Sequence, residues 1–306
     1  MKDICCIGHI TLDKIITPQN TVFMPGGTSF YFSHGINHLP KKISYQLVTS
    51  LAQSEMKSVD KMREQGIDIK VFPSEHTVFF ENSYGSNSNN RSQRVLAKAD
   101  PFKTEYFKDV DAKVYHLGSL LADDFSLETI KYLSTKGKVS IDVQGYLREV
   151  RNQHVYAIPW KEKMEALKYT DILKVNESEM EVLSGTKDPK ESALRFASWG
   201  VKEVVITEGS YGSIIYAEGQ FHIIPAYKPN QIVDATGCGD TYSAGYLYCR
   251  SQGADYDEAG RFAAAMCTCK LQHSGPFEGS EGDIKRIIKT SNSFLLNTLS
   301  QKISVE

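Results

Sequence analysis

Strand-like runs alternate with helix-like segments along most of this chain of 306 residues, and few architectures accommodate that order. DICCIGHI, near the start, reads as a buried strand. MKSVDKMREQG reads as a helix ending on Gly66, a good residue just past a helix, and IDIKVF follows as a strand. AKVYHLGSL is a strand, SLETIKYLSTKG a helix with Ser126 at its N-cap and Gly137 past its end, and KVSIDVQG again a strand. ESALRFASWG is a helix closed by Gly200 before the strand KEVVIT. This alternation predicts the α/β class: a three-layer α/β/α arrangement with a mostly parallel sheet and helices on both faces.

Two regions depart from it. TLDKIITPQNTVFMP, residues 11–25, is strand-like with no helix. EHTVFFENSYGSNSNNRSQRVLAKA, residues 75–99, reads as two strands joined by a polar loop, with hairpin chemistry in its Asn and Ser residues at 86–90. Together they predict a small β-sheet standing off the main one, either a decorative hairpin or a lid over a site. SIIYAEGQFHII reads as a further hairpin turning at Glu218 and Gly219. Residues 1–306 are therefore read as one α/β domain carrying that lid, long enough to bury a substantial core.

Composition narrows the partners. Lys and Arg total 35 against 37 Asp and Glu, so no basic excess points to nucleic acid and no polybasic run to a membrane surface. MKDICCIGHI lacks the long apolar core and cleavage site of a signal peptide, and no apolar run reaches transmembrane length. A cytoplasmic protein is expected. Of the six cysteines, Cys5, Cys6, Cys238, Cys249, Cys267 and Cys269, none forms a C-x-x-C pair and four sit in apolar runs. That pattern predicts buried thiols in a reducing compartment rather than disulfides or zinc.

The stretch richest in chemistry is VDATGCGDTYSAG, residues 233–245. YKPNQIV before it is extended and TYSAGYLYCRSQG after it reads as a helix ending near Gly253, so Thr236 to Asp240 lie where a loop enters a helix. Unpaired N–H groups and partial positive charge at such a point suit anions, phosphates above all. Gly237 and Gly239 would let the backbone approach the anion closely. A Walker-type loop would need Lys-Ser or Lys-Thr where Asp240-Thr241 stands, and a dinucleotide fingerprint would come early with closer glycines. An acid here repels phosphate by itself. It makes sense if Asp240 accepts a proton while the amides hold negative charge, and the alternative is Asp240 as the helix N-cap.

On these residues DATGCGDTYSAG resembles the second signature, D-T-x-G-A-G-D, of the ribokinase-like, PfkB-type carbohydrate kinases. GHITLD, PGGTSFYFSHGI, LKVNESEMEVLSG and VVITEGSYGSIIY match the family's other segments in order, so the resemblance spans essentially the whole chain. It implies a ribokinase-like fold and ATP-dependent phosphorylation of a hydroxyl on a small sugar or polyol. Asp240 would be the catalytic base, and the amides of Gly237, Cys238 and Gly239 the anion hole. Cys238 stands for the usual alanine and Ala235 for the usual threonine; the second exchange leaves open a monovalent-cation site in the neighbouring loop. Asn176 and Glu179, the N-x-x-E pair, would help hold Mg²⁺ through water, although a polar helix start gives the same tetrapeptide. Thr207, Gly209 and Gly212 would line the nucleotide, and the helix EAGRFAAAMCTCKL, capped by Asp255 and Glu258, would flank adenine.

On the acceptor side the resemblance assigns Asp13 to sugar hydroxyls and Gly26 and Gly27 to close backbone approach. Tyr31 stands where many members have asparagine, which argues against a simple ribose contact. SIDVQGYLREV, with Gln144 and Arg148, and NRSQRVLAKADPF look most like the myo-inositol kinase branch, Arg148 being equally explained by a surface salt bridge. The expected partners are the acceptor and ATP, with open sheet edges offering a route to a homodimer. A nucleoside kinase would stack a base on Phe30, Tyr31 and Phe79. A non-catalytic sensor would have little reason to keep Asp240 with its glycines, and a nicotinamide oxidoreductase would need the early glycine fingerprint.

Overall fold

The computed structural model of the chain describes residues 1–84 and 91–290, so the 86–90 turn of the expected hairpin lies outside the described residues. In chain order the strands are β1 (Lys2–Ile7), β2 (Thr11–Ile16), β3 (Thr21–Gly26), β4 (Tyr45–Leu51), β5 (Ile69–Pro73), β6 (Phe79–Tyr84), β7 (Arg91–Ala97), β8 (Ala112–Gly118), β9 (Lys138–Asp142), β10 (Arg148–Arg151), β11 (His154–Ala157), β12 (Ile172–Asn176), β13 (Glu203–Thr207), β14 (Ser213–Ala217) and β15 (Gln220–Ile224). The α-helices are α1 (Thr28–Asn37), α2 (Met56–Glu64), α3 (Leu127–Ser134), α4 (Lys163–Ala166), α5 (Glu177–Ser184), α6 (Pro189–Ser198), α7 (Cys238–Arg250) and α8 (Tyr256–Leu271).

The main sheet runs in the order β15-β14-β13-β12-β9-β8-β1-β4-β5. It is parallel from β13 to β5, and the hairpin of β14 and β15, turning at Glu218 and Gly219, adds an antiparallel edge. β1 explains why its sequence is a continuous apolar run. Ile4 and Cys6 enter one core with α1, α7 and α8, while Cys5 and Ile7 enter the other with α3, α5 and α6. A strand covered on both faces has no polar side to show. The expected three-layer architecture is thus present. The helix boundaries follow local chemistry: Ser126 Oγ accepts from the Thr129 amide at 3.2 Å, and Asp255 Oδ1 accepts from the Glu258 amide at 2.7 Å.

A second, six-stranded sheet has the order β10-β11-β7-β6-β2-β3. It contains both segments that broke the alternation. It also contains the hairpin β10–β11, which the sequence analysis does not predict; Asn152 and Gln153, both at positive φ, make its two-residue turn. Asp13 pairs with Met24 and Phe80, Ile15 with Asn82, Asn82 with Gln93, and Phe80 with Val95. Side chains alternate along strands, so Asp13, Asn82 and Gln93 share one face. Phe80 and Val95 on that face pack on Leu120 and Leu121, just past β8. The opposite face carries Lys14 and Arg94, both paired with Glu81, and the Phe23–Phe79 ring pair. All six cysteines are free, and no described helix is long and apolar enough to cross a membrane.

Candidate active site

Four parallel strands end side by side. Gly118 of β8 pairs with Asp142 of β9, Asp142 with Lys174 of β12, and Asn176 of β12 with Thr207 of β13. The carboxyl edge of such a sheet is where α/β proteins bind ligands. α7 starts at this edge: a Cβ built on Gly239 would lie 2.7 Å from Lys174 Nζ. Gly237 is the N-cap of α7 in the left-handed conformation, φ 75°, so Asp240 is a first-turn residue and the N-cap alternative falls. A side chain at Gly237 would be strained and would meet the Tyr31 ring at 2.2 Å. Tyr31, expected beside the acceptor, is buried and lies against this loop. The Cys238 amide turns back to the Ala235 carbonyl at 3.2 Å, and its carbonyl accepts from Cys267 Sγ at 3.1 Å. Burial pushes the Cys238 thiol up to about 11, which keeps it neutral and poorly nucleophilic.

Asp142 Oδ2 and Lys174 Nζ form a buried ion pair at 2.8 Å. Around it sit two more carboxyls. Burial first, then repulsion from Asp142, pushes Asp240 up to about 7; attraction to Lys174 and a hydrogen bond with Thr28 act the other way. Burial also raises Glu179, with Lys174 opposing it. Burial would lower Lys174, but Asp142 and then Glu179 more than offset that and hold the ammonium above its usual range. Despite its burial, Asp142 is held below the usual carboxylate range by Lys174. Asp240 nevertheless keeps part of its surface exposed.

Asn176 and Glu179 form a capping box on α5, with both reciprocal bonds at 2.9 Å, so the polar helix start is realised beside Lys174. Arg148 adds a smaller attraction on Glu179, and the Gln144 amide donates to Asp142 Oδ1 at 3.2 Å, so both belong to this edge. Thr207, Gly209 and Gly212 form the turn from β13 to β14, closed by the Glu208 amide on the Gly212 carbonyl at 2.8 Å.

The acceptor-side residues connect to the same point. Thr11 Oγ1 donates to Asp13 Oδ1 at 2.6 Å, and a Cβ on Gly26 would lie 2.3 Å from Asp13 Oδ2. Gly27 caps α1, and Thr28, its first residue, bonds Asp240. A short run of contacts thus leads from Asp13 through the glycine pair to Asp240, and the Asp13 face of the small sheet lies on the Asp240 side. The aromatic set considered for stacking a base is not assembled. Phe30 and Tyr31 are buried edge-to-face on α1, and Phe79 sits on the opposite face of the small sheet from Asp13.

Sequence reasoning missed Lys174, Thr28, the pair Asn82 and Gln93, and Lys270. A signal existed for the two lysines: each is a lone charge inside an apolar run, ILKVN and CTCKL, where a charge survives only with a buried partner. Thr28, Asn82 and Gln93 carry no such mark.

The family model for pfkB family carbohydrate kinases matches residues 79–281. A cytidine kinase of Thermococcus kodakarensis is 30% identical over 275 residues, 85% of this chain and 93% of that protein. A nucleoside kinase of Methanocaldococcus jannaschii is 23% identical across 90% of this chain and 92% of its own. Among solved structures, a pyrophosphate-dependent kinase in the ribokinase family, complexed with a pyrophosphate analog and myo-inositol, superposes with a TM-score of 0.81 at 26% identity, covering 93% of this chain and 100% of that one. Arabidopsis thaliana ribokinase, complexed with ribose and ATP, shares the fold with a TM-score of 0.76 at 19% identity over 94% and 99% of the two chains. Together with the loop-to-helix entry at Gly237, these matches establish the chain as a kinase, and it belongs to the pfkB family of carbohydrate kinases.

Proposed function

We propose that this kinase transfers a phosphoryl group from ATP to a hydroxyl of a ring polyol, myo-inositol or a close cyclitol. The observation that carries the reading is the polar set on the inner face of the small sheet. Asp13 lies there with Asn82 and Gln93, whose amides are fastened to each other at 2.9 Å. A carboxylate and two amides can accept from and donate to adjacent hydroxyls of one ring. Lys14 and Arg94, on the outer face, are both paired with Glu81, so neither is available to hold the phosphate of a phosphorylated acceptor. A nucleobase would want an aromatic platform, and Phe79 points the wrong way for one.

The cytidine kinase relative makes nucleosides the competing acceptors, and the pyrophosphate-dependent neighbour makes pyrophosphate the competing donor. Beside α8 a cavity of about 610 Å³, lined by Lys228, Thr268, Gln272 and Arg286 among others, could take a nucleoside. Its position beside the helix that the resemblance sets against adenine is what favours ATP over pyrophosphate in this reading.

In this reading Asp240 takes the proton of the attacking hydroxyl, oriented by Thr28 and tuned by Lys174. Phosphoryl transfer passes through a loose transition state, so positioning and charge stabilisation do most of the work. The first-turn amides of α7 hold the developing charge; Cys238 joins them only if its turn to Ala235 opens. Among the described residues no three His, Cys, Asp or Glu side chains cluster to hold a metal directly, so Mg²⁺ would come with the donor's phosphates and Asn176 and Glu179 would hold it only through water. Bound Mg²⁺ would supply charge compensation for the phosphates. The small sheet acts as a lid that keeps water from the phosphoryl group. Its edge strand β3, with Val22 and Phe23 exposed, is the surface on which a second copy would pair.

The test is kcat/KM for myo-inositol, ribose, cytidine and fructose 6-phosphate, each with Mg-ATP and with Mg-pyrophosphate. Myo-inositol with ATP should exceed the others by about tenfold or more, because a mismatched ring leaves buried polar groups unpaired. A nucleoside or sugar phosphate winning by a wide margin would overturn the acceptor, and pyrophosphate winning would overturn the donor.

A further inference from the structure

Lys270, near the end of α8, is among the largest fully buried side chains of the described residues. A buried ammonium persists only when paired and hydrogen-bonded. Its Nζ donates to the Asp234 main-chain carbonyl at 2.8 Å and to Asp234 Oδ2 at 3.1 Å, and it lies 6.0 Å from the centroid of the Tyr31 ring. Asp234 opens the loop that leads to the anion hole, and its Oδ1 accepts from the Thr236 amide at 2.9 Å. Burial would raise the Asp234 carboxyl, yet the Thr236 amide and Lys270 hold it below the usual range. The same end of α8 grips the loop twice more. The Leu271 carbonyl accepts from the Val233 amide at 2.8 Å, and the Cys267 thiol donates to the Cys238 carbonyl at 3.1 Å.

The family resemblance leaves a monovalent cation open in this loop. The residues present do not fit one. The carbonyl and carboxylate oxygens of Asp234 that would ligate an ion are already held by an ammonium, and a second positive charge against the same carboxylate would be repelled by the first.

We propose that Lys270 is a built-in cation. It is a positioning residue that holds the 233–238 loop in register with Asp240 through Asp234, so that the kinase needs no potassium or ammonium. The proposal rests on kinase activity alone and not on which acceptor is correct.

Wild type and Lys270→Ala are assayed in potassium, sodium, ammonium and tetramethylammonium chloride at one ionic strength, with whichever acceptor is turned over best. Wild-type kcat should vary by no more than about twofold across the salts, whereas Lys270→Ala in tetramethylammonium should lose about tenfold or more in kcat with little change in acceptor KM. Potassium or ammonium should restore most of that loss, which a merely structural residue would not permit. In thermal unfolding, potassium should raise the Tm of Lys270→Ala and leave that of wild type unchanged. The unfolding arm needs no acceptor, so it separates a failure of this proposal from a failure of the polyol reading. Several-fold activation of wild type by potassium would overturn the proposal. So would full kcat of Lys270→Ala in tetramethylammonium, or a loss that no cation restores. Should Lys270→Ala not fold, Lys270→Met takes its place, and the wild-type salt series decides alone.

Discussion

The corner where α7 meets the main sheet and the small sheet that faces it are built on opposite terms. In the corner, Lys174, Asp142 and Lys270 are 7%, 3% and 1% exposed, and each charge has a named partner. On the outer face of the small sheet, Phe23 is 57% and Tyr156 46% exposed and ion pairs are found there, while Asn82 on the inner face is buried. Removing one member of a buried charge cluster leaves the others uncompensated, whereas exchanging an uncharged polar side chain costs less, and exchanging one on the exposed outer face costs little. In the proposed reading the chemistry is held by the charges of the corner, and the choice of acceptor by the uncharged Asn82 and Gln93 beside Asp13 on the sheet. Relatives that phosphorylate cytidine and neighbours that bind myo-inositol on the same fold fit that division.

Substitutions can break the comparison. The largest effect should come from Asp240→Asn, which keeps size and hydrogen bonding but removes the proton acceptor. It should lower kcat by about a hundredfold or more with the fold intact by circular dichroism. Near wild-type turnover would remove Asp240 as the base. Gly237→Ala comes next. Its positive φ and the Tyr31 ring leave no room for a methyl, so both Tm and kcat should fall, with about a tenfold loss of kcat. An unchanged kcat would mean that the loop is not held as tightly as described.

On the small sheet the effects should be smaller and of another kind. Asn82→Leu should cut kcat/KM for the polyol by about tenfold while the donor KM stays constant. A matching rise in donor KM would place Asn82 outside the acceptor surface. Phe23→Ser, on the outer face, should leave the kinetic constants within about twofold. If β3 pairs two copies, the same variant should sediment as a monomer where wild type is a dimer.

Legibility in the sequence divides along the same line. The alternation and the loop-helix entry were readable because each is local: glycines, an acid and a helix start occur within one short run. The capping box was readable for the same reason, although its two meanings were not separable. Lys174 was not assigned, since its meaning depends on β9 and β12 being neighbours, which brings Asp142 opposite it. Tyr31 was assigned by position in a family pattern and turned out to back Gly237, a contact between α1 and α7 that no sequence spacing encodes. The hairpin β10–β11 is hard to read because its strands have only four residues each and its turn is Asn152-Gln153, with no glycine to mark the positive φ. Asn82 and Gln93 are ordinary polar residues until the register of β6 and β7 pairs them.

The central claim is that a buried lysine and two neighbouring carboxyls make Asp240 the base. It is tested most directly by the pH dependence of kcat/KM in wild type and Lys174→Met. The base must be ionised to accept a proton, so with its carboxyl pushed up to about 7 the rate should fall as pH drops below that value and level off above it. Lys174 pulls Asp240 down. Removing it leaves only the weaker Thr28 hydrogen bond against burial and the neighbouring carboxyls, and the acid limb should move to higher pH by about one unit or more. A limb that stays in place in Lys174→Met, or a wild-type rate that is flat from pH 5 to 8 (about three units around the expected midpoint), would contradict the account.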